Sequence, residues 1–262
     1  MIYTLTQGAS PLLVSMPHVG IEIPATLAAR MTPAALRRPD TDWHLERLYD
    51  FLGALDTSVL VATHSRFVVD LNRPPDGTNL YPGQDTTGLV PIDTGDREPI
   101  YAAAPPAEAE IAARRATYWQ PYHDRIVAEL ARIKARHGYA LLWDAHSIKS
   151  ELPRFFPGRL PDLNLGTNDG RACGAGLGEA LAAVAMRERR YTSVLNGRYK
   201  GGYITRHYGR PAEQVHAVQL ELSWATYMNE AHPFEFRDDL AAGVRPALRA
   251  LVERMLAWGG NR

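Results

Sequence analysis

The sequence predicts an α/β fold: a single domain over residues 1–262 whose mostly parallel or mixed central sheet is flanked by helices. Two observations predict it. Short Val/Leu-rich runs of strand length alternate with longer stretches of helical apolar period. That alternation is what crossover-connected parallel strands require. No linker-like stretch or internal repeat divides the chain, and 262 residues at 45% hydrophobic content can build one sizeable core.

The elements follow in order. "PLLVSM" (11–16) is short and apolar, a buried strand. "DWHLERLYDFLGAL" (42–55) sets Leu45, Leu48, Tyr49, Leu52 and Leu55 on one helical face. "SVLVATH" (58–64) and "RFVVDL" (66–71) are Val-rich and read as strands. Residues 74–100 carry Pro, Gly, Asp and Thr at loop density, and so long a loop points to a functional excursion. Residues 107–138 are helical, with Pro121 expected to kink or split the helix. "YALLWDAHSIKS" (139–150) begins as a buried strand and runs without a turn into Asp144, His146 and Ser147. A second loop (153–170), a helix (171–188) and a strand (191–196) follow. A Gly-rich connection (197–211) leads to a strand (215–223) and a final helix (238–258). That helix carries Leu240, Val244, Leu248, Leu251 and Met255.

Composition excludes several function classes. Lys+Arg and Asp+Glu both count 29, so no basic nucleic-acid footprint exists. No apolar run approaches the roughly 18 residues of a membrane span. The first residues lack a basic stretch followed by a long apolar one, so no secretory signal is read. The single Cys173 excludes an intrachain disulfide and fits a reducing cytoplasm. It reads as a small packed side chain rather than a nucleophile.

In open α/β sheets, ligands bind outside the carboxyl ends of the strands. Polar residues recur there: His18 after the first strand, Asn72 and Arg73 after "FVVDL", Asp144 and His146 at the end of "LLWDAH", and Glu221 in "VQLEL". Asp42, at an expected helix start, reaches the same edge. Two imidazoles and a carboxylate are the ligand set of a catalytic Zn2+, or another divalent transition metal, with a position left for water. His18 and His146 are the imidazoles. Asp42 is the preferred carboxylate and Glu22 its alternative; a first-turn acid at a helix dipole is the structural reading of Asp42. His44, His64, His123, His137 and His232 read as surface or helix-face residues, and His216 as structural.

These residues carry a resemblance. "SMPHVG", "PDTDWHLERLYDF", "SRFVVDLNRP", "DAHS" and "QLELSW" resemble the N-formylglutamate amidohydrolase family, in the same order and along nearly the whole chain. That family is distantly similar to the zinc carboxypeptidases. The resemblance implies a zinc-carboxypeptidase-like (phosphorylase/hydrolase-like) fold. It implies metal ligands at His18 and His146, a carboxylate-gripping Asn72–Arg73 pair and Glu221 as general base. Carboxypeptidases take their second ligand from His-x-x-Glu, and here the third residue after His18 is Ile21; the family's "DTDW" segment favours Asp42. The implied substrate is N-formylglutamate, a small dianion, and the implied products are formate and L-glutamate, as in histidine degradation.

A dianion needs cations, and planar arginine suits carboxylates. Arg73, Arg66 and Arg206 are the candidates, each weighed against a solvated surface charge. A related amidohydrolase acting on another N-acyl amino acid or a peptide amide would keep the same site. A serine hydrolase built on Ser147 lacks the G-x-S-x-G elbow. A non-catalytic anion-binding relative has no use for His18, His146 and Glu221 together.

Overall fold

The computed structural model describes residues 1–259. Seven strands form one sheet: β1 (Tyr3–Thr6), β2 (Leu12–Met16), β3 (Ser58–Ala62), β4 (Ala140–Ile148), β5 (Leu163–Gly166), β6 (Ser193–Leu195) and β7 (Val215–Ser223). The order is β1-β3-β2-β4-β7-β5-β6. Strands β3, β2, β4 and β7 run parallel to one another. β1 is antiparallel to β3, β5 antiparallel to β7, and β6 parallel to β5. The helices are α1 (Ala25–Ala28), α2 (Pro33–Leu36), α3 (Leu45–Leu48), α4 (Glu108–Arg114), α5 (Gln120–His137), α6 (Leu177–Arg187), α7 (Tyr203–Tyr208) and α8 (Asp238–Gly259). Among the described residues no helix is long and apolar enough to cross a membrane.

The central strands β2, β4 and β7 are buried on both faces, as parallel strands require. Alternate residues of β4 and β7 point to opposite faces. Leu141, Trp143, Ala145, Val218, Leu220 and Leu222 pack one face against Val244, Leu248 and Leu251 of α8. Ala140, Leu142 and Ala217 pack the other face, with Leu13 and Leu60, against Tyr122, Ile126 and Ile133 of α5. On this second face the apolar set ends at Leu142 and Ala217. The next residues facing the same way are Asp144 and His146 on β4, and Gln219 and Glu221 on β7. The register pairs Asp144 with Gln219 and His146 with Glu221. The core strand therefore needs no turn before its polar cluster, because one face stays apolar while the other opens into a cleft.

Several expectations are corrected. Residues 66–71 are not a strand: Val68 N–H donates to the Ser65 carbonyl and Asp70 N–H to the Leu89 carbonyl. Phe67, Val68 and Val69 are buried all the same, Phe67 among Met31, Ala35, Ile100 and Tyr101 and Val69 in the cluster of Leu13, Leu60 and Leu89; the outer edge of β3 is taken by β1, which the sequence did not announce. The 42–55 helix is only α3 followed by a 3-10 helix over 50–55, so Asp42 precedes the helix and is not a first-turn acid. The 153–170 loop contains β5 and the 197–211 connection contains α7. Helix α6 starts at Leu177, later than expected.

In the 107–138 stretch the irregularity is a π turn over Arg115–Trp119, and Pro121 sits in the first turn of α5, where its missing N–H costs nothing. This turn lets both helices grip one segment. Arg114 of α4 donates to the Val68 carbonyl at 3.2 Å, Trp119 Nε1 to the Arg73 carbonyl at 3.0 Å, and His123 Nε2 bonds the Leu71 carbonyl at 2.9 Å. His123, expected at the surface, is thus buried. Its Nδ1 accepts from the Tyr208 hydroxyl at 2.8 Å, and burial lowers its pKa to about 3, so it is neutral.

Candidate functional site

Four segments bring the predicted residues together at the carboxyl edge. His18 follows β2 by two residues. Asp42 is tied to it by a backbone bond, Asp42 N–H to the His18 carbonyl at 3.0 Å. His146 ends the polar run of β4, and Glu221 stands across from it on β7. All four are buried.

His18, Asp42 and His146 each aim one donor atom at a common point, the three atoms lying within 4.8 Å of one another. Nδ1 of His146 is 3.1 Å from Asp42 Oδ2, and Nδ1 of His18 is 3.8 Å from the same oxygen. The far nitrogens are held by a second layer. Nε2 of His18 meets Asp70 Oδ1 at 2.7 Å, and Nε2 of His146 meets Asp144 Oδ1 at 3.0 Å. A carboxylate accepting from one ring nitrogen leaves the other free as a ligand. Two imidazole nitrogens and a carboxylate oxygen, so backed, suit a borderline-soft divalent cation. Glu22 lies elsewhere: its carboxylate is exposed and 3.7 Å from Nε2 of His64.

Opposing terms set the charges. Burial lowers the pKa of His18, with Arg66 adding to the effect and Asp70 opposing it. Burial also disfavours the imidazolium of His146, but the Asp144 and Asp42 carboxylates outweigh it and hold its pKa well above the usual range. Burial pushes Glu221 up to about 8, against the pull of His146 and Arg66. Its carboxylate receives Nε2 of Gln219 at 3.2 Å, and Gln219 Oε1 in turn accepts from Gly202 N–H at 2.7 Å. A side chain at Gly202 would meet the Asn72 amide at 2.4 Å, so only glycine fits there.

The remaining predicted residues differ in placement. Arg66 lines the cleft and donates to Asp70 Oδ2 at 2.6 Å. Asn72 also lines it; Nδ2 is 2.8 Å from His146 Nε2, and Oδ1 accepts from Ile204 N–H. Arg73 reaches the rim, but its guanidinium is bonded to the Thr87 carbonyl and hydroxyl and to the Asn72 carbonyl. Arg206 stands outside the lining, donating to the Gly201 carbonyl and lying 4.8 Å over the Tyr81 ring. Sequence reasoning missed Asp70, Arg198, Lys149 and Tyr199, which all belong to the cleft or its second layer. Asp70 was hidden inside a supposed strand. Cys173 is buried, with its thiol pKa pushed up to about 11 by burial, as a packed side chain.

The cleft opens to solvent and joins charged side chains to apolar ones such as Leu152 and Phe155, the mixed lining of a site for a small organic ion. The family model described as N-formylglutamate amidohydrolase matches residues 10–228. N-formylglutamate deformylase of Pseudomonas aeruginosa is 51% identical over 262 residues, covering 100% of this chain and 98% of that protein. The Pseudomonas putida deformylase is 47% identical with the same coverage. The crystal structure of N-formylglutamate amidohydrolase from Ralstonia eutropha superposes with a TM-score of 0.83 at 28% identity, covering 98% of this chain and 97% of the other. On a family match over most of its length, and on relatives about half identical from end to end, this chain belongs to the N-formylglutamate amidohydrolase family.

Proposed function

We propose that the protein hydrolyses N-formyl-L-glutamate to formate and L-glutamate, as a cytoplasmic enzyme that binds Zn2+ or a similar divalent ion through His18, Asp42 and His146. The observation that carries the reading is the convergence of those three donor atoms opposite Glu221. Family membership supports the substrate. When bound, such an ion polarises a carbonyl and lowers the pKa of water towards roughly 7.

The chain's own residues do the rest. Glu221 takes a proton from water as oxygen adds to the formyl carbon, then returns it to the glutamate amine as the C–N bond breaks. A carboxyl raised to about 8 by burial is matched to receiving and giving a proton near neutrality. Asp70 and Asp144 fix the ring orientation of the two histidines. Arg66, reaching the cleft beside them, faces negative charge developing on the formyl oxygen. Asn72 and Arg73 line the same side and draw the substrate's α-carboxylate towards it. Arg206 acts from outside by bracing the Gly201 carbonyl and Tyr81.

The test is elemental analysis of the purified protein with formate release measured before and after chelation. Stoichiometric zinc, loss of turnover on chelation and recovery on re-addition are expected. Full turnover in metal-stripped protein would overturn the metal assignment. Turnover of another N-acyl amino acid, with none of N-formylglutamate, would overturn the substrate.

A further inference from the structure

Four cationic side chains besides histidine line the cleft: Arg66, Arg73, Lys149 and Arg198. Three already face a carboxylate of the protein. Arg66 and Arg73 share Asp70, at 2.6 and 4.0 Å, and Lys149 pairs with Asp96. Among the described residues Arg198 alone of the four has no carboxylate within 4.0 Å. Among the described residues its only hydrogen bond runs from Nε to the Phe155 carbonyl at 2.7 Å. Both terminal nitrogens, the fork that binds a carboxylate with two parallel bonds, are uncommitted.

The guanidinium is nonetheless fixed. It lies 5.4 Å from the Tyr81 ring centroid and 5.2 Å from that of Tyr199, and stacking on aromatic faces orients it without using its terminal N–H groups. A second donor on this wall is also unsatisfied: the Tyr199 hydroxyl is buried with no hydrogen-bond partner. Buried donors without acceptors are rare in folded proteins and call for an explanation. An acceptor arriving with a ligand supplies one for both groups.

We infer that Arg198 is the specificity-determining residue that binds the side-chain carboxylate of the substrate. The inference rests on the N-formylglutamate reading and deepens it. Arg66 connects to His18 through Asp70, so it sits beside the reacting formyl group and the α-carboxylate next to it. Arg198 is bonded to Phe155 and stacked on Tyr81 and Tyr199 rather than on the proposed ligands, and Tyr199, which feels the charges of Glu221 and Arg66, joins that wall to the reacting centre. The side-chain carboxylate is two methylenes beyond the α-carbon and reaches that wall. Leu152 and Phe155 line the same region as apolar surface for those methylenes.

The experiment compares kcat/KM for N-formylglutamate, N-formylglutamine (side-chain amide) and N-formylisoglutamine (α-amide) in wild type, Arg198→Ala and Arg198→Lys. Thermal melts accompany each variant. In Arg198→Ala, kcat/KM for N-formylglutamate should fall by about 30-fold or more, mostly through KM. The wild-type preference for N-formylglutamate over N-formylglutamine should collapse, while its preference over the α-amide persists. Arg198→Lys, which keeps charge but loses the fork, should fall between, and it carries the test if the alanine variant does not fold. Equal losses on all three substrates would overturn the inference, reducing Arg198 to a prop for the Phe155 loop. Collapse of the α-amide preference instead would also overturn it. Wild-type turnover with no such collapse sinks this inference alone, whereas no formate release by the wild type sinks it together with the substrate assignment.

Discussion

Asp70 holds His18 by a single contact, Oδ1 to Nε2 at 2.7 Å, while its other oxygen receives Arg66 at 2.6 Å. One carboxylate thus orients a proposed ligand and fixes a cleft cation. Arg66, with His18 and Arg73 adding, overcomes the burial penalty and keeps Asp70 ionised far below the usual carboxylate range. Asp70→Asn keeps the shape but not the charge. Metal affinity should drop by roughly 10–100-fold, the usual cost of losing a carboxylate behind a ligating histidine. Competition with a chromophoric chelator measures it, and unchanged affinity would deny Asp70 that role.

The proposed ligands separate cleanly by mutation. Asp42→Ala and His146→Ala should each empty the site and abolish turnover. Glu22→Ala, at an exposed side chain near His64, should keep full metal content. The raised pKa of His146 also means that metal binding must displace a proton, so affinity should rise with pH and binding should release protons into a weak buffer. Calorimetry in two buffers of different ionisation enthalpy reads the proton count.

Glu221→Gln retains the hydrogen bonds but cannot carry the proton. Metal content should hold while kcat falls by roughly 10²–10⁴-fold. The metal-free protein offers a second readout. Between its ordinary value of 4.5 and about 8, Glu221 holds its proton when folded and loses it when unfolded. The folded state binds more protons in that window, so stability falls as pH rises through it. His146, also raised, adds a fall of the same sign. Denaturant titrations should therefore show a flatter decline for Glu221→Gln than for wild type; parallel curves would mean Glu221 is ionised throughout.

His123 titrates with the opposite sign. Burial lowers it from 6.5 to about 3, so the unfolded state binds more protons in that window. Its contribution is complete above 6.5 and is lost as pH falls towards 3. His123→Gln, which keeps a donor for the Leu71 carbonyl, should lower stability near neutrality and blunt acid unfolding. Equal acid midpoints by circular dichroism would remove His123 from the acid transition.

The central strands were legible because β2, β4 and β7 are buried on both faces, and their apolar runs admit few other readings. Edge strand β6 was read at 191–196, but two other short strands were not. β1 is four residues with alternate positions exposed, and β5 hides behind Pro and Gly. Periodicity also misled at 66–71, where Phe67, Val68 and Val69 are buried by an irregular segment just as a strand would bury them. His18, His146 and Glu221 could be placed because they ride on or beside central strands. Asp70 and Arg198 could not, since their positions depend on how two long connections fold back over the sheet.

The π turn at Arg115–Trp119 sets a strict count of residues on the outside of the molecule. Because α4 and α5 both fasten the 68–73 segment, their relative rotation is fixed by the number of residues between Arg114 and Trp119. Deleting one would restore an ordinary helix and swing α4 by roughly 100° about its axis relative to α5. Arg114 would leave the Val68 carbonyl while Trp119 kept its own. Length variation in homologues and engineered insertions should therefore be selected against in this helix, although none of its residues lines the cleft.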